Sequence, residues 1–294
     1  VLVKQLEKHC QEKVVAHLHF TGGEPLLHPQ IKKILKLFYR KRNKYRYAIM
    51  SNGSFLDDYI IKQLKKLNIK AYQLSLDGDE ETHDSIRGKG NFKQVVLAMD
   101  LLKENGIRTR VSFTANKMNY TQFPAVAEIC SKHNVDSLWS DRFIPVKGAC
   151  GVEALDEESV CEYVQMLRRE RFKYISSHLD IQNFRGLQFL GSDDHPYSCM
   201  AGENLIVVDE YGNIMPCRRM PIFCSDIYNS TLADTYFNHP VFINLRKHTV
   251  SGKCKECKNS DKCKGGERCM SYAVCGDFCA PDPGCWLKEV DLKL

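Results

Sequence analysis

Cysteines dominate the last third of the chain, and their spacing suits a metal centre. Ten of the 14 cysteines fall between Cys199 and Cys285. Their spacing follows two patterns, Cys199-x12-Gly212-x4-Cys217 and Cys254-x2-Cys257-x5-Cys263 with Cys285 further on. A Cys-x2-Cys pair brings two thiolates onto one centre from a tight turn, which suits zinc and iron–sulfur clusters alike. The spacing alone leaves open iron–sulfur ligation, zinc sites and scattered core thiols.

The composition predicts that these thiols stay reduced. The chain has 294 residues, of which 43% are hydrophobic and 27% charged, as is ordinary for a soluble globular protein. No apolar run approaches ~18 residues and the start, VLVKQLEKHC, is no signal peptide, so we expect a cytoplasmic protein without membrane contact. Reduced thiols favour metal or cluster ligation over disulfides. A net charge of +6, with the 42 lysines and arginines taken as dispersed, predicts solvated faces and no nucleic-acid partner.

The first 190 residues alternate helical and strand-like segments, which predicts parallel strands joined by right-handed crossovers. The predicted helices are Val1–Glu12, Ile31–Arg42, Asp57–Leu67, Phe92–Asn105, Gln122–His133 and Glu157–Arg171. The predicted strands are Val14–Phe20, Arg46–Ser51, Ala71–Leu76, Arg108–Ala115 and Ser137–Ile144. From about Leu187 the helical periodicity fades, and LIVVDEYGNIMPC predicts a β-hairpin. We therefore expect an α/β domain over residues 1–186 and a small cysteine-rich domain over residues 187–294, which needs a metal or cluster for stability.

The strands also alternate between polar and apolar residues. The polar positions are His17, His19 and Thr21; Gln73, Ser75 and Asp77; and Arg110, Ser112, Thr114 and Asn116. A parallel sheet covered by helices on both faces is apolar at both sets of positions. The alternation therefore predicts a curved sheet with a polar, ligand-holding concave face. The strands end in Gly, Ser, Asn or Asp, which predicts that the ligand lies at their C-terminal ends.

The segment FTGGEPLLHP follows the first strand and precedes a helix. Because Gly22 and Gly23 lack side chains, a ligand can approach their N–H groups closely. Glu24 then offers a carboxylate, which suits an ammonium group. Taken alone, this triplet fits an ordinary turn before a helix equally well.

Taken together, these motifs resemble those of radical S-adenosylmethionine (SAM) enzymes. FTGGEPLLHP, SNGSFL and LSLDGDEETHDSIRGKGNF follow successive strands, and the two cysteine patterns resemble the SPASM extension of peptide-modifying members. The resemblance covers nearly the whole chain. It implies a partial (β/α)6 barrel that holds SAM above a [4Fe–4S] cluster, with two auxiliary [4Fe–4S] clusters in the C-terminal domain.

The resemblance also implies a SAM site. Its residues would be Gly22, Gly23, Glu24, Ser51, Asn52, Ser75, Arg87, Asn116 and Ile144. Glu24 and the two glycines would hold the methionine ammonium, while Ser75 and Arg87 would contact the carboxylate and ribose region. A flavodoxin- or ferredoxin-type donor would supply the electron that cleaves SAM to a 5′-deoxyadenosyl radical, which takes a hydrogen from the substrate.

The same resemblance divides the cysteines between the two auxiliary clusters. One cluster would be held by Cys254, Cys257, Cys263 and Cys285, and the other by Cys199 and Cys217 with either Cys269 or Glu267. The family has a cysteine four residues after Cys263, where this chain has Glu267, so Cys269, a glutamate ligand and an open iron all remain candidates. Cys224, Cys275 and Cys279 remain either spare ligands or incidental thiols.

The sequence departs from the family in two further places. The family's SAM-binding cluster is held by Cys-x3-Cys-x2-Cys, which these 294 residues do not contain, and Cys10 is interpreted as a core thiol. The motif is expected in a segment before Val1, so the chain as given is expected to be inactive without it. Arg218 follows Cys217 where sulfatase-maturating relatives have an aspartate, which favours crosslink or thioether formation in a ribosomally made peptide.

We therefore expect a radical SAM/SPASM maturase that acts on a precursor peptide or protein side chain. Two alternatives remain: a truncated, non-catalytic iron–sulfur or peptide-binding protein, and a zinc-binding α/β protein. The sequence leaves the substrate, the bond formed and the oligomeric state undetermined.

Overall fold

The computed structural model describes residues 4–5, 16–67, 69–146, 151–191 and 199–288. Most of the predicted helix Val1–Glu12, the first two residues of the predicted strand Val14–Phe20, Cys10 and Cys150 lie outside these ranges. The chain forms two compact units. The sheet unit comprises Glu12–Asp141 and Met166–Asn183, and the cysteine-rich unit comprises Val1–Gln11, Arg142–Gln165 and Phe184–Leu294. The domain boundary at residues 186/187 stays a prediction.

A six-stranded sheet with its strands in chain order forms the frame of the sheet unit. The strands are β1 (Ala16–Phe20), β2 (Tyr45–Ser51), β3 (Ala71–Ser75), β4 (Thr109–Ala115), β5 (Ser137–Arg142) and β6 (Asp180–Gln182). The pairs β1/β2, β2/β3, β3/β4 and β5/β6 are parallel. The predicted α/β class and parallel sheet are therefore confirmed. Among the described strands, β1 and β6 form the two edges of the sheet.

The helices of residues 31–173 follow the predicted positions with one exception. They are α1 (Ile31–Arg40), α2 (Asp58–Leu67), α3 (Glu80–Arg87), α4 (Asn91–Glu104), α5 (Phe123–Lys132) and α6 (Glu157–Lys173). Helix α3 is not evident from the sequence, because His83 is the one residue of this helix that is buried and no apolar stripe results. Its start is stabilised instead by Asp79, whose side chain accepts a hydrogen bond from the Thr82 N–H.

The two faces of the sheet differ in polarity, as the alternation predicts. On one face Phe20, Phe38 and Tyr47 form an aromatic cluster that packs α1 against the strands, with ring centroids 4.5 to 6.1 Å apart. On the other face the strand register places Gln73 beside Arg110. Trp139 donates a hydrogen bond from Nε1 to Oε1 of Gln73 at 3.0 Å. Polar side chains therefore form rows across this second face.

The cysteine-rich unit is built from short elements. They are β7 (Val207–Val208), β8 (Asn213–Met215), β9 (Ser225–Asp226), α7 (Leu232–Asn238), α8 (Pro240–Arg246), α9 (Ser260–Cys263) and α10 (Arg268–Cys275). The predicted hairpin is confirmed, since β7 pairs antiparallel with β8. Its turn is held by Asp209, whose carboxylate accepts hydrogen bonds from the N–H groups of Tyr211 and Asn213. Every cysteine in the described ranges is a free thiol.

No helix within the described ranges has both the length and the apolar character that a membrane crossing requires.

Candidate functional site

The segment after β1 fixes the Glu24 carboxylate next to the end of β2. Glu24 caps a single 3-10 turn, Pro25–Leu27, by accepting a hydrogen bond from the Leu26 N–H at 3.0 Å. The Ser51 hydroxyl lies 3.0 and 2.9 Å from the two carboxylate oxygens, and the Asn52 N–H donates at 2.8 Å. A carboxylate has about four acceptor positions, so three donors orient it and leave room for another. The structure thus brings three residues of the predicted SAM site into contact.

Gly22 and Gly23 border open space. A Cβ atom added at either position would meet no atom of the described residues within 4 Å, apart from the glycine's own chain neighbours. Packing inside the protein therefore does not require glycine at either position, and a ligand could reach both backbones. This arrangement fits the ammonium end of SAM, which would meet the Glu24 carboxylate beside two accessible N–H groups.

Asp77, which the sequence analysis did not assign to the site, links the ends of β3 and β4. Its carboxylate is buried, and it accepts hydrogen bonds from Arg87 Nε at 2.6 Å and from the Thr114 N–H at 2.9 Å. Asn119 Nδ2 adds a third link, because it donates to the carbonyls of Asp77 and Thr114. Asp77 therefore positions Arg87, whose two Nη groups form no hydrogen bond with the described residues. In the sequence, the one sign of a role for Asp77 is its place among the alternating polar positions of the strands.

The other three predicted SAM contacts, Ser75, Asn116 and Ile144, lie in different surroundings. Ser75 ends β3, and its hydroxyl forms no hydrogen bond with the described residues. The Asn116 amide is used by the turn after β4, since its Oδ1 accepts from the Met118 N–H at 2.8 Å. Ile144 is buried in an apolar cluster of the cysteine-rich unit. The roles of these three residues toward SAM stay predictions.

Four cysteines line one cavity in the cysteine-rich unit, and they are Cys254, Cys257, Cys263 and Cys285. Leucine and phenylalanine side chains, among them Leu187 and Phe189, form the apolar part of its wall. Burial, with repulsion from neighbouring thiolates including Cys285, raises the pKa of Cys254 to about 11 and that of Cys263 to about 12. The thiols are therefore close enough to interact electrostatically.

The arrangement of these four thiols fits a multi-iron cluster. Across the described ranges, no group of three or more His, Cys, Asp or Glu side chains is gathered so as to hold a single metal ion. A [4Fe–4S] cluster takes one thiolate at each of four irons, so its ligands surround a cavity instead of converging on one point. Four thiols around an apolar pocket meet this requirement.

Asp282 holds the turn that carries Cys285. Arg142 donates to its two carboxylate oxygens at 3.0 and 2.5 Å, and both side chains are buried. The same carboxylate accepts hydrogen bonds from the N–H groups of Glu267 and Gly284, each at 2.9 Å. The Cys285 N–H donates to the Asp282 carbonyl at 3.0 Å. A Cβ atom at Gly284 would overlap Arg142 Nη1, so a side chain there would displace the guanidinium from Asp282.

The structure separates the two candidates for the second cysteine set. The Glu267 side chain is 1% exposed and lies 3.2 Å from Arg142 Nη2, so it balances a buried guanidinium. Cys269 lies in an apolar cluster that includes Cys217, and Cys199 packs against this cluster. The geometry therefore groups Cys269, not Glu267, with the two cysteines of the first pattern.

The three surplus cysteines do not line the cavity of the first set. Cys224 packs against a separate apolar cluster that contains Ile214 and Phe242, and burial raises its pKa to about 11. Cys275 is exposed at the end of α10. The Cys279 carbonyl accepts a hydrogen bond from the Ser251 N–H, which fixes the backbone there.

Comparison with known proteins finds one matching family model and several similar proteins. Residues 1–128 match the family model described as the Radical SAM superfamily. The chain is 24% identical over 290 residues to the AdoMet-dependent heme synthase of Methanosarcina barkeri. The alignment covers 91% of this chain and 81% of the synthase. It is also 26% identical over 299 residues to the PqqA peptide cyclase of Gluconobacter oxydans. That alignment covers 96% of this chain and 80% of the cyclase.

The fold is that of solved structures with SAM bound. The Streptococcus suis SuiB structure with S-adenosylmethionine has a TM-score of 0.75 and 18% identity, over 97% of this chain and 69% of that chain. SuiB is also known in complex with its precursor peptide, SuiA.

The Asp282→Asn variant tests the buried ion-pair network. An amide leaves Arg142 with one fewer compensating charge, and breaking a buried pair typically costs about 3–5 kcal/mol of unfolding free energy. We expect a loss of that order in urea titrations of the anaerobically reconstituted chain. Asp261→Asn, at an exposed position of α9, is the matched control and should change the unfolding free energy by less than about 0.5 kcal/mol. Equal stability of the two variants would contradict the assignment.

Proposed function

We propose that the protein is a radical SAM enzyme that modifies a side chain of a peptide or protein. The observation that carries the proposal is the combination, in one chain, of an oriented carboxylate beside two accessible glycines and four cysteines around one cavity. The match to the Radical SAM superfamily supports the reaction class. The similarity to a PqqA peptide cyclase, together with the SuiB fold, supports a peptide as substrate.

In this proposal the residues at the C-terminal ends of the strands bind and orient SAM. Glu24 pairs with the methionine ammonium, and the backbones of Gly22 and Gly23 border the same group. Arg87 offers its guanidinium to the carboxylate in an orientation that Asp77 fixes, and Ser75 supplies a hydroxyl nearby. Bound SAM, with its [4Fe–4S] cluster, supplies the radical chemistry that removes a hydrogen atom from the substrate. The ligands of that cluster stay a prediction.

The two cysteine sets would each hold an auxiliary [4Fe–4S] cluster. Cys254, Cys257, Cys263 and Cys285 form the first set, and Cys199, Cys217 and Cys269 supply three ligands of the second. An external electron donor of the flavodoxin or ferredoxin type completes the scheme, and we expect the reaction in the cytoplasm. We propose that the bond formed is a thioether or a carbon–carbon crosslink.

A tetrapyrrole is the second candidate substrate, because the chain is also similar to an AdoMet-dependent heme synthase. The polar face of the sheet supports it. This face carries Arg46, Arg110 and two histidines, which suit carboxylate side chains. Titration with Fe-coproporphyrin III, followed in the Soret band, distinguishes the candidates. A saturable shift at micromolar porphyrin would favour the tetrapyrrole over the peptide.

The Glu24→Gln variant tests the SAM site. A charged hydrogen bond contributes about 1.5–3 kcal/mol, so SAM should bind roughly 10- to 150-fold more weakly. The measurement is isothermal titration calorimetry on the complete enzyme, reconstituted with the expected Cys-x3-Cys-x2-Cys segment in place. Glu128→Gln removes the same charge from an exposed position of α5 and serves as the control. An unchanged dissociation constant in Glu24→Gln would refute the role of this carboxylate.

The Cys263→Ala and Cys269→Ala variants test the two cysteine sets. Each should lose about half of the iron and sulfide taken up on anaerobic reconstitution, because each removes one ligand from one of two clusters. Cys275→Ala, at an exposed thiol outside both sets, should keep the full content. Colourless protein with zinc alone, or equal loss in all three variants, would refute the ligand assignment.

A further inference from the structure

Residues 31–70 concentrate positive charge, so the interpretation of the cations as dispersed is wrong for this segment. The segment contains twelve lysines and arginines but only two acidic residues, Asp57 and Asp58. Its formal charge is +10, whereas the whole chain carries +6. The rest of the chain therefore carries a formal charge of −4.

Helices α1 and α2 arrange part of this charge along a groove. It is lined by Lys32, Lys33, Lys36, Tyr39, Tyr59, Gln63 and Lys66. On both helices lining residues recur at positions i, i+4 and i+7, so that one stripe of each helix borders the groove. The four lysines are exposed, and none forms an ion pair with an acidic side chain of the described residues. Among the residues that the structure describes, no acidic side chain lines the groove.

Each of the two tyrosines of the groove has a cation of the chain over one face of its ring. Lys32 Nζ lies 4.9 Å from the ring centroid of Tyr59, and the Arg42 guanidinium lies 4.1 Å from that of Tyr39. Single-stranded nucleic acids are held by bases that stack on open aromatic faces. A cation of the chain already covers one face of each ring, and the four lysines that line the groove suit carboxylates.

The groove opens away from the polar face of the sheet. Leu35 and Phe38 form the buried side of α1, and Phe38 packs against Phe20 on the apolar face. The charged stripe of α1 therefore lies on the outer surface of the sheet unit. A partner bound there does not occupy the polar face, on which a substrate would lie.

We propose that this groove docks an acidic surface of the protein that supplies electrons to the clusters. The proposal rests on the proposed function, because a cluster-bearing enzyme of this type needs an external electron source. In each encounter one electron passes from the reduced donor to an oxidised cluster, and no bond forms or breaks. Uncompensated lysines attract an acidic partner over long range, which raises the association rate most at low ionic strength.

The test uses the reconstituted full chain, a reduced acidic flavodoxin as the probe, and stopped-flow absorbance of the clusters. The groove variant carries Lys32→Gln, Lys33→Gln, Lys36→Gln and Lys66→Gln. The control carries Lys62→Gln, Lys65→Gln, Lys103→Gln and Lys132→Gln, which removes the same charge from exposed lysines of the same unit outside the groove. At low salt the groove variant should be reduced by flavodoxin at least about 10-fold more slowly than the parent, and the control less than about 3-fold. The difference should shrink at high salt.

Three further measurements separate the possible failures. Dithionite, which needs no docking site, should reduce the clusters of all three proteins at equal rates. Flavodoxin binding is followed by its flavin fluorescence and should weaken in the groove variant even if the chain takes up no cluster. A chain that binds flavodoxin but takes up no cluster would therefore refute the proposed function and leave the docking proposal standing. Equal slowing in both variants would overturn the docking proposal. A groove variant that loses binding to a single-stranded RNA oligonucleotide but keeps flavodoxin binding would also overturn it.

Discussion

The sheet unit depends on one constraint, the two-residue period of its parallel strands. Side chains at alternate positions face opposite sides, and the parallel register carries this alternation from one strand to the next. One face can therefore bury Leu74, Val111 and the aromatic cluster under the helices while the other collects Gln73, Arg110 and Trp139. All strand ends meet at the same edge, which is why loops distant in sequence can place Glu24 beside Ser51 and Asp77 beside Thr114.

The cysteine-rich unit follows a different principle. Its strands are two or three residues long, and its apolar clusters are small. Order around the cavity comes instead from Asp282, which pairs with Arg142 and accepts hydrogen bonds from the N–H groups of Gly284 and Cys285 within the turn. Glu267 shares this network, which explains why a carboxylate at the position of a family cysteine need not ligate iron. A cluster in the cavity would then bind to a Cys285 turn that these ion pairs already hold in place.

The sequence predicted those parts of the structure that rest on local patterns. The bounds of β2–β5 and of the predicted helices from α1 to α6 agree within two residues, because their apolar periodicity is strong. Helix α3 was missed because its sequence, EETHDSIR, has one buried residue and no apolar stripe. The Arg142–Asp282 pair joins residues 140 positions apart, so no local pattern reveals it. The basic groove was missed because whole-chain charge averages a strongly basic segment with an acidic remainder.

We propose that the two cysteine sets hold two auxiliary [4Fe–4S] clusters in a protein that also binds SAM. Mössbauer spectroscopy of the chain reconstituted anaerobically with ⁵⁷Fe tests the cluster part most directly. We expect the quadrupole doublets of diamagnetic [4Fe–4S]²⁺ clusters and about eight irons per chain, or about four for each cysteine set. A spectrum of mononuclear iron alone, or a chain that takes up zinc and no sulfide, would contradict it.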